Sequence, residues 1–233
     1  VTARERRLDW EGCVNARDLG GLKTRQGHVT RWGAVVRSDH PSKLTDAGWS
    51  ALYAHGIRTI ISLYTEGQDE KLPAIAPHAP DIELLRVAVE DVGDQEFLNR
   101  WATTELWCTP LYYRDALARW PERHPAALTL MARAKPGGVL IHCARGHDRT
   151  GIVSMLLLAF AGVEPEEILA DYQLSVDPER EEILARAHTS TREVILSSLS
   201  ELDAEAYLRQ GGMRQEDLEA IRARFLKPIV GQT

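Results

Sequence analysis

Apolar and polar positions along the chain switch repeatedly between a period of two and a helical period. Val139, Leu140 and Ile141 follow the turn Lys135-Pro136-Gly137-Gly138, the pattern of a buried strand. Residues 152–160 are apolar on every face and predict a helix buried on all sides. Short apolar runs predict further strands at 34–36, 57–63 and 82–89, and a small hairpin within 22–31. A helix is expected from Asp46 to His55, capped by Thr45 and stopped by Gly56. Others are expected over 95–107, 111–120, 126–134, 166–174, 178 to about 199, 204–209 and 215–226. Strands alternating with helices predict an α/β fold, with a central, mostly parallel sheet flanked by helices. Ligands of such sheets bind beyond the carboxyl ends of the strands. Cys143 falls at one such end, as do Arg37-Ser38-Asp39, Glu66 and Asp91.

Length and composition narrow the picture. The 233 residues, 44% of them apolar, suffice for one large domain, and no repeat or low-complexity tract divides residues 1–233. A net charge of −6 leaves no basic excess to neutralise phosphates, which excludes nucleic acid as the expected partner. Any anionic ligand must meet locally concentrated cations. The three cysteines, Cys13, Cys108 and Cys143, have no paired spacing. They fit a reducing compartment, and no zinc pattern is visible. The first residues lack the apolar stretch of a signal peptide, and no apolar run is long enough to span a bilayer. A soluble, cytoplasmic protein without stable membrane association is expected, secretion of a processed form being left open. Nothing in the sequence names an oligomeric state.

The chemistry concentrates between the central strand and its helix, in Cys143-Ala144-Arg145-Gly146-His147-Asp148-Arg149-Thr150-Gly151. A short loop there points successive backbone N–H groups into one concavity, with the positive end of a helix behind it. Cys143 is the candidate nucleophile, since amides, helix end and Arg149 all favour a thiolate. Arg149 can turn its planar fork onto two oxygens of a phosphate. Thr150 can donate a hydrogen bond to the sulfur, and Gly146 lets the loop turn without blocking the bowl. A merely buried cysteine at a strand end would explain neither Arg149 nor the strand–loop–helix setting. Cys13 and Cys108 read as inert small residues, the alternative being a disulfide between one of them and oxidised Cys143. Trp101, Trp107, Tyr112 and Tyr113 read as core, or as walls of a pocket.

Cys-x5-Arg-Thr resembles the protein tyrosine phosphatase superfamily. The longer form, His142-Cys143-x-x-Gly146-x-Asp148-Arg149-Thr150-Gly151, is similar to the HCxxGKDRTG of bacterial tyrosine/serine phosphatases. Asn15-Ala16-Arg17-Asp18-Leu19-Gly20-Gly21 resembles the NxRDLGG of that family, Arg37-Ser38 its RS, and Asp171-Tyr172 with Ser175 its DYxxS. The resemblance implies a tyrosine phosphatase-like fold and hydrolysis of phosphate monoesters through a phosphocysteine, without metal or cofactor. The implied substrate is a phosphorylated protein or small phosphomonoester, foremost phosphotyrosine, with phosphoserine or phosphothreonine beside it. It implies Cys143, Asp148 and Arg149 as catalytic residues and residues Ala144, Arg145, Gly146, His147, Asp148 and Arg149 as the phosphate cradle. His142, Thr150, Arg17 and Asp18 are expected to support them. The general acid is expected to be Asp148, with Asp91 and Asp94 as alternatives; Glu122, in Trp120-Pro121-Glu122, lies at a helix junction and reads as a decoy. The helices of about 178–210 are expected either to cover the cleft as a lid or to pack as a flank. Two departures stand out. His147 replaces a lysine associated with phosphoinositide-accepting members, and Ser62-Leu63-Tyr64 replaces Asp-Leu-Arg. The rival functions are a phosphoinositide phosphatase, a rhodanese-type sulfurtransferase and an inactive phosphate-binding module.

Overall fold

The computed structural model describes residues 3–66, 74–77 and 81–227. The strands are β1 (Arg17–Asp18), β2 (Val29–Thr30), β3 (Val35–Ser38), β4 (Ile57–Glu66), β5 (Glu83–Asp91), β6 (Gly138–His142) and β7 (Leu226–Lys227). Five of them form one sheet in the order β1-β3-β6-β4-β5, and β2 pairs with β7 apart from it. Within the five-stranded sheet β3, β6, β4 and β5 run parallel and β1 is antiparallel to β3; β2 and β7 are antiparallel to each other. The mostly parallel sheet expected from the alternation is therefore present.

β6 is central because its sequence is apolar on both sides. Val139 and Ile141 enter the larger core, which α4 (Arg123–Arg133) and α5 (Asp148–Phe160) help to build. Leu140 enters a second core with Val36, Ile60, Trp10 and Trp49, the last carried by α1 (Asp46–Ala54). Period-two alternation thus feeds two layers from one strand. The register aligns Ser38, His142 and Ser62 across β3, β6 and β4, at the level where Cys143 leaves the sheet.

Two predicted helices are not continuous. Residues 95–107 form one turn, α2 (Gln95–Phe97), then a wider π turn over Leu98–Ala102 and further turns. Their aromatics pack on one another, Trp107 stacking on Tyr112 at 5.0 Å and meeting Phe97 edge-on at 5.7 Å. Residues 110–112 are a 3-10 turn leading into α3 (Tyr113–Arg119). The stretch from 178 splits into α7 (Pro178–Arg186) and α8 (Thr191–Ser200), following α6 (Pro165–Gln173). Ser190 makes the break as the N-cap of α8: its hydroxyl accepts from the Glu193 amide at 3.2 Å and donates to the Glu193 carboxylate at 3.1 Å. Ile195 of α8 and Leu208 of α9 (Ala204–Gln210) are fully buried in the main core, and α10 (Gln215–Phe225) packs on α4. No helix among the described residues is long and apolar enough to cross a membrane.

Candidate active site

β6 ends at His142, α5 begins at Asp148, and the five residues between them form the loop. Its carbonyls are held from outside. The His40 amide donates to Ala144 O at 3.2 Å, and Asn15 Nδ2 donates to the oxygens of Arg145 and Gly146 at 3.1 and 3.2 Å. Arg37 Nη2 donates to the oxygens of Gly146 and His147 at 2.9 and 3.4 Å. Gly146 is required twice over. Its φ of +71° suits glycine, and a Cβ there would stand 2.4 Å from Ser38 O.

A cavity of about 220 Å³ opens on the other side of the loop, lined by Cys143, Ala144, Arg145, Asp148, Arg149, Glu90, Trp107, Cys108 and Tyr112. Cys143, Asp148 and Arg149 therefore share one wall. Arg149 Nη1 donates to Leu63 O at 3.3 Å, and its Nε lies 3.8 Å from Glu90 Oε2. Asp148 is buried, and its Oδ1 has no hydrogen-bond partner. Burial pushes its pKa up, against the pull of Arg145, Arg180 and Arg149.

The other acid candidates are engaged elsewhere. Asp91 pairs with Arg123 at 3.1 Å, which also holds Glu66. Asp94 caps α2 through the Phe97 amide and pairs with Arg119. Glu122 stands at the start of α4. The further carboxyl that reaches the cavity is Glu90, one residue past the strand predicted at 82–89. Thr65 Oγ1 and Tyr112 OH donate to it at 2.8 and 2.9 Å, and burial raises its pKa too. A register shift puts Thr65 opposite Glu90 instead of Val89, so β5 carries an irregularity that re-aims Glu90 inward. Cys108, one of the two cysteines considered for a disulfide with oxidised Cys143, lines the same cavity at φ +64°, with a thiol pushed up to about 12 chiefly by burial and then by Asp148.

The supporting residues fall into two groups. The His142 ring lies between Ser62 Oγ, 2.7 Å from Nε2, and the Cys143 carbonyl, 3.2 Å from Nδ1. Burial and the facing His40 lower its pKa to about 3, so it is neutral above that pH and bridges the two by hydrogen bonds. Arg17 donates from Nε to Asp171 Oδ1 at 3.2 Å, from Nη2 to Ser175 Oγ at 2.9 Å and from Nη1 to Asn15 Oδ1 at 2.6 Å. Asp18 accepts from the Gly20 and Gly33 amides at 2.7 and 2.8 Å and meets His55 at 2.7 Å. Neither lines the cavity.

Two expectations are corrected. The His147 ring is no part of the cavity wall; it turns toward Asp177, 3.5 Å away, and burial together with Arg145 and Arg180 lowers its pKa to about 4. A neutral ring packs there because three cations, Arg37 among them, already surround it. Thr150 Oγ1 is fully buried and has no partner, so it makes no hydrogen bond to the Cys143 sulfur. Helices α7 to α9 contribute nothing to the cavity wall, although Arg145 reaches Asp177, the residue capping α7, at 3.2 Å. No group of three or more metal-binding side chains occurs among the described residues.

A cysteine at the end of a central parallel strand and an arginine six positions on, in the first turn of a buried helix, define a cysteine-loop α/β protein in which both residues line one cavity. Residues 8–227 match the model of the tyrosine phosphatase family, and the chain belongs to that family. It is 30% identical over 169 residues to a candidate tyrosine-protein phosphatase of Cupriavidus necator, covering 71% of this chain and 61% of that protein. It is 30% identical over 146 residues to a tyrosine-protein phosphatase of Nostoc commune, covering 61% and 48%. A triple specificity protein phosphatase of Mycobacterium tuberculosis is 28% identical over 193 residues, covering 71% and 68%. The chain thus spans less than two thirds of the length of the first two relatives.

Proposed function

We propose that this chain hydrolyses phosphate monoesters through a phosphocysteine, with phosphotyrosine in proteins as the leading substrate. The observation that carries the reading is the convergence of Cys143, Asp148 and Arg149 on one cavity behind a loop whose carbonyls are held outward. In this reading the Cys143 thiolate attacks phosphorus in line, and the bond to the leaving oxygen breaks as Asp148 gives it a proton. Arg149 and the loop amides hold the equatorial oxygens as charge shifts onto them. Water then attacks the phosphocysteine, its proton returns to Asp148, and phosphate leaves with the thiolate restored. Burial of Asp148 favours the protonated form that the first step needs. Trp107 and Tyr112 offer an aromatic wall to a phenyl ring, and the names of the relatives support phosphotyrosine. Cytoplasmic location fits three free cysteines, one of which must stay reduced to work.

Release of phosphate from p-nitrophenyl phosphate under reducing conditions tests the chemistry. Cys143→Ser is expected to lower turnover to background, since a hydroxyl at that position lacks an activating base. No release by the unaltered protein would favour a binding module. Phosphotyrosine and phosphoserine peptides assayed beside phosphoinositide headgroups would rank the substrates, and the neutral His147 predicts the lipid headgroups last.

A further inference from the structure

Behind the bowl lies a buried charge cluster that the catalytic steps leave unused. Arg6, Arg17 and Arg37 are each 1% exposed, and all three donate to one carboxylate, Asp171, at 2.8, 3.2 and 2.8 Å. Three guanidinium groups on one carboxylate leave an excess of positive charge in a low-dielectric interior. Burial and the neighbouring Arg37 lower the pKa of Arg17 to about 9. Such a cluster is costly to bury, so its geometry calls for a purpose beyond fold stability.

Two of its members lead to the loop. Arg37 uses Nη1 on Asp171 and Nη2 on the carbonyls of Gly146 and His147. Arg17 holds Asn15 Oδ1, which leaves Asn15 Nδ2 facing the carbonyls of Arg145 and Gly146. A peptide bond is planar and trans, so each carbonyl points opposite to the N–H of the next residue. No cis peptide bond interrupts this relation. Holding the carbonyls of 145–147 outward therefore turns the amides of 146, 147 and 148 inward.

We propose that Arg37 and Asn15 are positioning residues for oxyanion capture: anchored by Asp171 and Arg17, they set three consecutive peptide planes of the loop without touching the anion. The proposal rests on the reading of the loop as the phosphate site. Its distinctive consequence is coupling, because both side chains act on the same Gly146 carbonyl.

Inorganic phosphate, titrated for its protection of Cys143 from alkylation by iodoacetamide, gives affinity without turnover. It would be measured on the unaltered chain, Arg37→Lys, Asn15→Ala and the double variant, with kcat and KM for p-nitrophenyl phosphate alongside. Arg37→Lys keeps the charge and removes the fork, so a merely electrostatic role would leave phosphate affinity intact. Each single variant is expected to weaken phosphate about tenfold, the size of one lost charge-assisted or cradle bond. The expected kinetic split is a raised KM together with a lowered kcat. The double variant is expected to lose much less than the product of the two. Unchanged affinity in a folded single variant, or losses that multiply, would overturn the proposal. Should Arg37→Lys not fold, Asn15→Ala decides alone: about tenfold weaker phosphate supports the proposal, and unchanged affinity rejects it. An unaltered chain that binds phosphate yet releases none from the ester would refute the hydrolytic reading and leave this inference standing.

Discussion

Two buried carboxyls share the cavity, and their hydrogen bonds divide the labour between them. Both oxygens of Glu90 accept from hydroxyls, Thr65 on one and Tyr112 on the other, so this group is fixed in place beside Arg149. Asp148 has an unpartnered oxygen in a cavity that also holds the sulfur, the arrangement an acid needs to reach a leaving group. Its raised pKa has a stability consequence with a definite sign. Between the usual carboxylate pKa and the raised one, the folded chain holds a proton that the unfolded chain has released. Stability therefore falls as pH rises through that window. Asp148→Asn removes the ionisation, so it should raise Tm at pH 7 while lowering kcat. The basic limb of the pH–rate profile should disappear, and the loss should deepen as the leaving group becomes poorer. Thermal melts and a series of aryl phosphates check both halves; a variant that kept its basic limb would move the acid elsewhere.

At the scale of elements, what could be read from the sequence was whatever one stretch of chain determines locally. The strand 139–141, the loop from Cys143 to Arg149 and the buried helix after it are contiguous, and their spacing and apolar pattern needed no distant partner. Glu90 could not be found that way. Its inward aim depends on a register shift between β4 and β5, a property of the pairing that neither strand carries alone. The helix expected over 95–107 failed for a related reason: Phe97, Trp101 and Trp107 answer to Tyr112 and Trp120, not to a helical face. The break between α7 and α8 was present in the sequence as Ser190-Thr191-Arg192-Glu193, a start signal hidden by amphipathic patterning on both sides. Gly151, one turn into α5, shows packing overriding propensity. A helix interior favours alanine over glycine by about 1 kcal/mol. A Cβ at Gly151, however, would lie 2.5 Å from the Tyr113 hydroxyl and 3.0 Å from the Tyr172 ring, both fully enclosed. Overpacking of this kind costs about 1–3 kcal/mol. Gly151→Ala is thus expected to be net destabilising, lowering the urea midpoint with an unchanged slope; a higher midpoint would show that the two tyrosines yield freely.

Over the whole molecule, histidines buried in their neutral form add to the loss of stability on the acid side, beside carboxylates such as Asp171 that arginines hold below their usual range. His142, His124 and His147 have pKa values lowered to about 3, 4 and 4, burial being the largest cause in each case. The unfolded chain binds protons at these sites below the ordinary pKa near 6.5, whereas the folded chain resists until about 4. Stability is therefore lost as pH falls through that interval, the sense opposite to that of Asp148 and Glu90. His124 isolates the effect. It is fully buried in α4 and does not line the cavity. A displacement from 6.5 to about 4 makes its contribution at pH 4.5 a loss of about 2–3 kcal/mol relative to neutral pH. For a chain of this length that corresponds to roughly 5–10 °C in Tm. His124→Leu replaces the ring by an apolar side chain of similar reach and removes the titration. The Tm difference between pH 7 and pH 4.5 should shrink by about that amount in the variant, while kcat at pH 7 stays near that of the unaltered chain. An equal fall in both proteins would leave the acid limb to His142 and His147 around the loop and to the arginine-paired Asp171 behind it. Hydrolysis and unfolding would then share their low-pH boundary.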